Sequence, residues 1–372
     1  MSAGDSSLPP AQPATRSASE IVIAIHPRAG SFSDRWRACC EERGLGVRIV
    51  DGYATDIIDQ LKGCDALLWH FDHEEATDLL MARHVLTAAE YAGLSVFPDR
   101  HTAWHFDDKL AQKYVLEAVN APLVPTWVFY EEDRGRAWLR RATLPCVRKL
   151  RRGAGSANVG LVRSGQEGQR YLGAMFGRGI RPVSGYFTDV GVRLTSTRTR
   201  EQALAKLRRA PEAIRARWRK RAGVQPERGY ALFQEFEPGN QFDTRVTVVG
   251  DRAWGFIRLV RKNDFRASGS RNIDFDRGRV DPECVRIAFA VNEALRSQST
   301  AFDFVHAPDG RPLIVEMSYG YNPAVVAQVP GQWDRNLSWH AGCARAEDAI
   351  LDGVLARIGD RRRRAGASTA AG

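Results

Sequence analysis

The residue with the clearest chemical setting is Lys149. It lies near the end of an apolar run, PCVRKL (145–150), and RRGAGSANVG (151–160) follows at once. A bound phosphate needs backbone N–H donors that no side chain blocks, together with a fixed cation. Gly153, Gly155 and Gly160, with Ser156 between them, supply the first, and Lys149 supplies the second. The GxxxxGK[ST] pattern of a Walker A loop is absent, and many glycine-rich loops are only turns. Asp303 and Glu316 form a second candidate set. They fall toward opposite ends of one expected hairpin, AFDFVHAPDGRPLIVEMS (301–318), each after apolar residues. Two carboxylates so placed suit Mg²⁺, which takes oxygen ligands and is usually shared with substrate phosphates. The plain alternative is two surface acids at strand ends.

A third element is FQEFEPGN (233–240), an acidic stretch that follows an apolar strand and ends in Pro and Gly. Such a segment can act as a hinge whose backbone reads a base and whose carboxylate takes ribose hydroxyls. A fourth is the series Arg245, Arg258, Arg261 and Arg266 on and after the following strands. Guanidinium groups neutralise a transferring phosphate and orient carboxylates, and each could equally be a surface ion-pair partner. The histidines His70, His73, His101, His105, His306 and His340 are not spaced as a metal set. His101 and His105, four apart around Trp104, could line a cleft, with a structural role the more frequent one.

These residues need elements to hold them. Residues 21–100 alternate short apolar runs, IVIAI (21–25), VRIV (47–50), ALLWH (66–70) and SVFP (95–98), with helical stretches around Asp34–Arg43, Thr55–Leu61 and Ala76–Tyr91. That alternation predicts a parallel α/β sheet. HPRAGSF, after the first run, has a single glycine and no dinucleotide fingerprint. An amphipathic helix over Asp107–Val119, a strand TWVFY (126–130) and a helix over Glu131–Arg141 lead to the Lys149 strand. Beyond 230, YALFQEF, FDTRVTVVG and AWGFIRLV read as antiparallel strands, with VGDR (249–252) as a hairpin turn. A helix over Pro282–Arg296 precedes the hairpin of Asp303 and Glu316.

Composition bounds the reading. The 372 residues, 44% hydrophobic, suffice for two or three packed subdomains. No apolar stretch approaches the roughly 20 residues of a membrane span. The first 20 residues, rich in Ser, Pro and Ala, lack the apolar core of a secretory signal, which predicts a disordered tail and a cytoplasmic protein. Cys39, Cys40, Cys64, Cys146, Cys284 and Cys343 form no CxxC pair and have no histidine at zinc spacing, so they read as core residues or free thiols. The net charge is +10, and residues 165–228 alone hold 15 Lys/Arg against 5 Asp/Glu. The rest of the chain is balanced, which disfavours nucleic acid as the general partner. The segment includes expected helices over Glu201–Arg209 and Pro211–Arg221. It reads either as a solvated face or as an arm for an anionic or polymeric substrate.

Read in order, Lys109, Lys149 with its glycine loop, Glu235, Arg245, Arg266, Asp303 and Glu316 resemble the ATP-grasp superfamily, and in particular the ribosomal-protein glutamate ligase and glutathione synthetase branch. DDKLAQKYVLEAVNAPLVPTWVF, PCVRKLRRGAGSANVGLV, FQEFEPGNQFDTRVTVVGDRAWGFIRLVRKNDFRASG and AFDFVHAPDGRPLIVEMS carry the resemblance, over about residues 101–345. VRKNDFRASGS, SYGYNP and PGQWDRNLSWHAG also resemble bacterial ATP-grasp proteins associated with polysaccharide loci. The fold this implies is α/β, of the α+β ATP-grasp kind: an N-terminal parallel α/β domain, then two ATP-grasp subdomains with ATP held between them. The expected boundaries are a disordered tail 1–20, an N-terminal domain 21–100, a first subdomain 101–164, a basic helical insertion 165–228, a C-terminal subdomain with the metal site 229–345, and a C-terminal helix and disordered tail 346–372.

The resemblance implies ATP and Mg²⁺, with Mn²⁺ as a substitute, and small-molecule carboxylate and amine substrates joined through an acyl phosphate. Lys109 and Lys149 would contact the phosphates, with Gly153, Gly155 and Ser156 in the loop. Glu235 and Phe236 would frame adenine, Glu237 would take the ribose, and Arg245 would belong to the nucleotide site. Arg258 or Arg261 would approach the γ-phosphate, and Arg266 would stabilise the acyl phosphate or the tetrahedral intermediate. Asp303 and Glu316 would bind the metal. The family's Glu-x-Asn is here Glu316-Met317-Ser318, so Ser318, Asn322, Asn272 or a water would complete the site. The resemblance also implies a homodimer. Competing readings are a kinase that phosphorylates without ligation, and a basic polymer-binding module. The latter has no use for Lys149, Asp303, Glu316 and Arg266 together.

Overall fold

The computed structural model describes residues 21–370 apart from 74, 154–157, 183–224, 262–263 and 271. The expected tail 1–20 and the expected helices of 201–221 therefore lie outside the described residues.

The N-terminal unit is the parallel sheet that the sequence predicts. Strands β1 (Val22–Ile25), β2 (Gly46–Ile49), β3 (Ala66–Leu68) and β4 (Ser95–Phe97) run in the order β2-β1-β3-β4. Helices α1 (Phe32–Glu42), α2 (Ile57–Gln60) and α3 (Ala76–Tyr91) connect them. Ile23, Ala24, Ile25 and Ala66–Leu68 are fully buried, which is why these strands read as unbroken apolar runs. A short helix α4 (Arg100–Ala103) then leads out of the unit.

Helix α5 (Lys109–Ala118) starts where the Asp108 carboxylate accepts from Leu110 N and Ala111 N, an N-cap that fixes Lys109 in the first turn. Four antiparallel strands follow as a middle sheet: β5 (Thr126–Phe129), β6 (Cys146–Lys149), β7 (Val159–Val162) and β8 (Ala231–Glu235), in the order β5-β8-β6-β7. Helices α6 (Glu132–Leu139) and α7 (Gly165–Phe176) cover it, with Leu139, Tyr171, Leu172, Met175 and Phe233 in its core.

The third sheet has seven strands. Strands β9 (Phe242–Val249) and β10 (Arg252–Leu259) are joined by the expected hairpin at Gly250, and β11 (Ile273–Asp274) adds to β10. After helix α8 (Pro282–Ala294) come β12 (Ser299–His306) and β13 (Pro312–Ser318), then a short helix α9 (Pro323–Val326) and strands β14 (Gly331–Trp333) and β15 (Trp339–Ala341). Alternation gives this sheet two faces. Val246, Val248, Phe302 and Met317 pack on Cys284, Val285 and Ala288 of α8. On the other face Val249, Trp254, Phe256 and Ala301 pack on the N-terminal unit. Farther along that same face, by register, lie Asp243, Arg245, Arg258 and Asp303.

Three expected boundaries are corrected. Strand β8, placed with the C-terminal subdomain, hydrogen-bonds between β5 and β6 in the middle sheet. Residues 165–176, placed in the basic insertion, form α7 and belong to the middle core because Tyr171, Leu172 and Met175 are its buried face. The disordered tail expected at the end of 346–372 is helical as far as Ala370, in α10 (Ala346–Ala370). Its arginines have partners: Arg357 pairs with Asp99 at 3.1 Å and Arg362 with Asp65 at 2.9 Å. The Trp36 indole also donates to Glu347 O at 3.1 Å, so α10 is a layer of the N-terminal unit.

Candidate active site

Residues from the middle sheet, the α5 start and the third sheet meet in one cleft. Lys149 is the last residue of β6, and its ammonium donates across to Val315 O at 3.3 Å. A β-bulge creates that contact. Asp303 pairs with Glu316 while Phe304 pairs with Ile314, so Val315 is an extra residue in β13. The extra residue lets Ile314 and Met317 both face the α8 core while Glu316 faces the cleft beside Asp303. The Val315 carbonyl is also approached by Gln234 Nε2 at 3.5 Å, and Gln234 donates to Thr126 Oγ1 at 3.0 Å.

Lys109 ties the cleft's two sides. Its ammonium donates to Gly153 O at 2.8 Å and lies 3.0 Å from Glu316 Oε1. Burial alone works against its charge, yet Glu316 and Asp107 outweigh it and hold the pKa above the usual lysine value. Lys149 goes the other way. Burial, with Lys109 adding to it against Glu316 and Asp303, pushes its pKa down to about 8.

Gly153 has a different duty from the one its sequence suggests. Its N–H donates to Asp107 Oδ1 at 2.8 Å, so it anchors the loop instead of waiting for phosphate. Its φ of +114° would strain any other residue there, and a Cβ would fall 2.2 Å from Asn158 Nδ2 and push that side chain aside. Asp107 is itself at φ +52°, and burial raises its pKa against the pull of Lys109 and the Gly153 N–H. The loop's base is held by Glu227 and Tyr230, which accept from Arg151 N at 2.9 and 2.7 Å. Gly155 and Ser156 lie outside the described residues.

The arginines fall into two groups. Arg245 is bidentate on Asp303, at 2.7 and 2.8 Å. Arg258 is bidentate on Asp243, at 2.7 and 2.6 Å, and reaches Asp303 Oδ2 at 2.8 Å. Burial works against Asp303, but the two guanidinium groups hold its carboxyl well below the usual range. Arg258 thus pairs with two carboxylates and lies buried, so an approach to a γ-phosphate, as expected of it, would take it from one of them. Arg245 holds Asp303 from β9. Arg266 and Arg261 belong to a separate loop. Arg266 is paired with its neighbour Asp264 at 2.8 Å, and Arg261 donates to Ser268 O at 2.7 Å.

At the hinge, Glu235 ends β8 with its N–H donated to Pro125 O at 2.9 Å. Phe236 meets Phe265 edge to face at 5.7 Å, so the Arg266 loop leans on the hinge. Burial, then Glu235, raises the pKa of Glu237. Asn240 fastens this segment to β12, donating to Glu237 O at 3.2 Å and His306 O at 2.9 Å and accepting from His306 N at 2.9 Å.

Asp303 and Glu316 fit Mg²⁺ in kind: two carboxylates on one face, in register, beside buried cations suited to phosphate. The third ligand does not follow the expectation. Ser318 shares the Glu316 face, but its hydroxyl exchanges hydrogen bonds with Gly320 N and O, both at 3.1 Å. Asn322 is exposed and caps α9 by accepting from Ala324 N at 3.0 Å. Asn272 is exposed. His101 is half-buried, and His105 is buried with its pKa pushed down to about 4 by burial.

Sequence reasoning missed Asp107, Gln234, Asp243 and Asn240. Asp243 carried a signal, since two charges in the core strand FDTRVTVV require partners. Asp107 and Asn240 act through backbone contacts, which side-chain type does not reveal.

No protein-family model and no curated protein matches the sequence. Solved structures do match in fold. A RimK domain ATP-grasp protein from Sphaerobacter thermophilus aligns at TM-score 0.52 with 16% identity, over 90% of this chain and 99% of that one. D-alanine–D-alanine ligase from Bacillus anthracis, solved with ATP, aligns at TM-score 0.53 with 11% identity, over 92% and 99%. The ATP-grasp ligase PsnB, solved with a minimal precursor, aligns at TM-score 0.53 with 12% identity, over 90% and 98%. Among the described residues no helix is long and apolar enough to cross a membrane. These likenesses show that the chain has the ATP-grasp fold, its cleft lying between the middle and third sheets.

Proposed function

We propose that the protein is an Mg²⁺-dependent ligase that activates a carboxylate with ATP and transfers the acyl group to an amine. One observation carries this: Lys109 and Lys149 enter the cleft against Glu316, which stands beside Asp303. A binding module gains nothing from burying two lysines and Asp303 around a partly exposed Glu316, because burying charge costs stability unless function repays it.

Lys109 and Lys149 take the phosphate oxygens, and Asp303 and Glu316 would hold the metal, with Ser318 nearest to them along β13. The metal, when bound, neutralises charge on the transferring phosphoryl group. Glu235, Phe236 and Glu237 take the nucleoside, and Asn240 holds that segment on β12. The substrate carboxylate oxygen attacks the γ-phosphorus, the bond to the bridging oxygen breaks, and ADP leaves with that electron pair. A neutral amine then attacks the acyl carbon. The tetrahedral intermediate expels phosphate, and the ammonium proton passes to solvent. Arg266, once exchanged from Asp264, stabilises the oxyanion.

The test is ADP and phosphate release with Mg-ATP across pooled amino acids, uronic acids and amino sugars, beside Lys149→Ala and Glu316→Ala. Release that needs both a carboxylate and an amine, and that both variants abolish, is the expected result. Turnover on a single compound with a stable phosphorylated product would make the protein a kinase. Absence of ATP binding with Mg²⁺ present would end the proposal.

A further inference from the structure

On the face of the third sheet away from the cleft, α8 and β12 bring together three side chains that bind metals. Asp281 is the N-cap of α8: its Oδ1 accepts from Glu283 N at 2.9 Å, and its Oδ2 lies 3.0 Å from His306 Nε2. Cys284 follows three residues later, so one helical turn puts its thiol on the same side as the cap. One ligand atom from each residue lies within 4.8 Å of the other two. In a tetrahedral zinc site such atoms stand about 3.5 Å apart, so closure asks for shifts of about 1 Å.

The surroundings favour an ion over a chance meeting. Cys284 is fully buried, while the Asp281 and His306 side chains are 34% and 25% exposed. The site is therefore closed at the sulfur and open to solvent at the other two ligands, which gives an entry path. An ordinary Asp–His hydrogen bond would account for two of the residues. It does not account for the third, a thiol buried in the α8 core that lies within reach of both, with the Thr244 hydroxyl beside it.

We propose that Asp281, Cys284 and His306 bind a Zn²⁺ ion, with a water on the open side completing the tetrahedron. Thiolate, imidazole and carboxylate together select zinc over magnesium, which takes oxygen alone. The thiol proton leaves to solvent as the sulfur–metal bond forms. The ion would fasten α8 to the end of β12. It sits one peptide from the hydrogen bonds by which Asn240 holds Glu237, so it would stiffen the hinge segment without touching substrate.

The experiment uses the full-length protein, stripped of metal and then dialysed against Zn²⁺ or Co²⁺. The expected result is about one tightly held ion per chain, with a thiolate-to-cobalt charge-transfer band in the Co²⁺ form. Cys284→Ser should abolish the band, and His306→Gln should weaken binding at least about tenfold. Glu316→Gln, in the cleft, should leave both unchanged. His306→Gln removes a partly exposed ring, so its circular dichroism keeps the test valid if Cys284→Ser fails to fold. A wild-type protein that retains no zinc, or binding that survives both Cys284→Ser and His306→Gln, would overturn the proposal.

Discussion

Lys109 Nζ stands 3.0 Å from Glu316 Oε1 and 2.8 Å from Gly153 O, so one ammonium joins the glycine loop to the carboxylate of β13. The contact separates two roles that a simple loss of activity would merge. Lys109→Met should raise the KM for ATP, because a phosphate ligand and the loop's anchor go together. Glu316→Gln should raise the Mg²⁺ concentration needed for half-maximal rate. Each should lower turnover by roughly 10²-fold or more. Initial rates measured against ATP at fixed Mg²⁺, and against Mg²⁺ at fixed ATP, separate the two. Identical shifts in both variants would contradict the assignment.

Lys149 gives a pH signature. Its folded pKa is about 8, below the ordinary 10.5, because burial disfavours the charge. In the free protein it is protonated below pH 8 and loses its proton above. A phosphate ligand must be charged, so kcat/KM for ATP should fall about tenfold per pH unit beyond 8. The same shift acts on stability in the opposite sense. The buried charge costs stability below pH 8, and that cost is relieved as pH rises from 8 to 10.5, where the unfolded chain still binds the proton. Lys149→Met should remove this stability slope. A slope unaltered by that substitution would show that another group titrates.

His70 and His105 should make the protein acid-sensitive. Both are buried, and burial holds their pKa values at about 3 and about 4, below the ordinary 6.5. Between these values and 6.5 the unfolded chain binds protons that the folded chain refuses, so stability falls as pH drops below 6.5. At about 1.4 kcal/mol per pH unit, the full windows are worth about 5 kcal/mol for His70 and about 3 kcal/mol for His105. Urea unfolding at pH 7, 5.5 and 4 measures it, and His105→Phe should flatten the curve on its side. His70 stacks on Phe32 at 3.6 Å and accepts from Phe32 N, so it is the poorer residue to replace.

Much of this site could be read from residue order, and the limits of that reading are physical. Lys149, Asp303 and Glu316 were visible because each ends or interrupts an apolar strand, and a charge there must face a cleft or find a partner. The parallel N-terminal sheet was visible because buried strands are continuous apolar runs. Hidden were features set by pairing. Nothing local says that β8 inserts between β5 and β6, or that a bulge at Val315 turns Glu316 toward Asp303. Arg258 looked available for phosphate because its partner Asp243 lies 15 residues away and only the β9–β10 register places them together. Cys284 showed no histidine at zinc spacing because His306 arrives through the third dimension. The C-terminal tail looked disordered because Asp65 and Asp99, which pair with its arginines, are far off in sequence.

Arg258 and Arg266 provide the sharpest contrast. Arg258 is buried and holds Asp243 and Asp303, whereas Arg266 is partly exposed and held by Asp264 within its own loop. Arg258→Met leaves two buried carboxylates short of a cation, and breaking such a network costs about 3–5 kcal/mol. It should lower the denaturation midpoint and, by freeing Asp303 to rotate, cut turnover as well. Arg266→Met removes an ion pair near the surface and should move stability by about 0.5 kcal/mol or less. Its turnover should fall about 10²–10³-fold, with the KM for ATP nearly unchanged, as expected of a group that acts on the developing oxyanion. Urea unfolding beside steady-state kinetics on the two variants tests this. Arg266→Met with full turnover would remove Arg266 from the chemistry. Arg258→Met with wild-type stability would show that Arg245 alone suffices to hold Asp303.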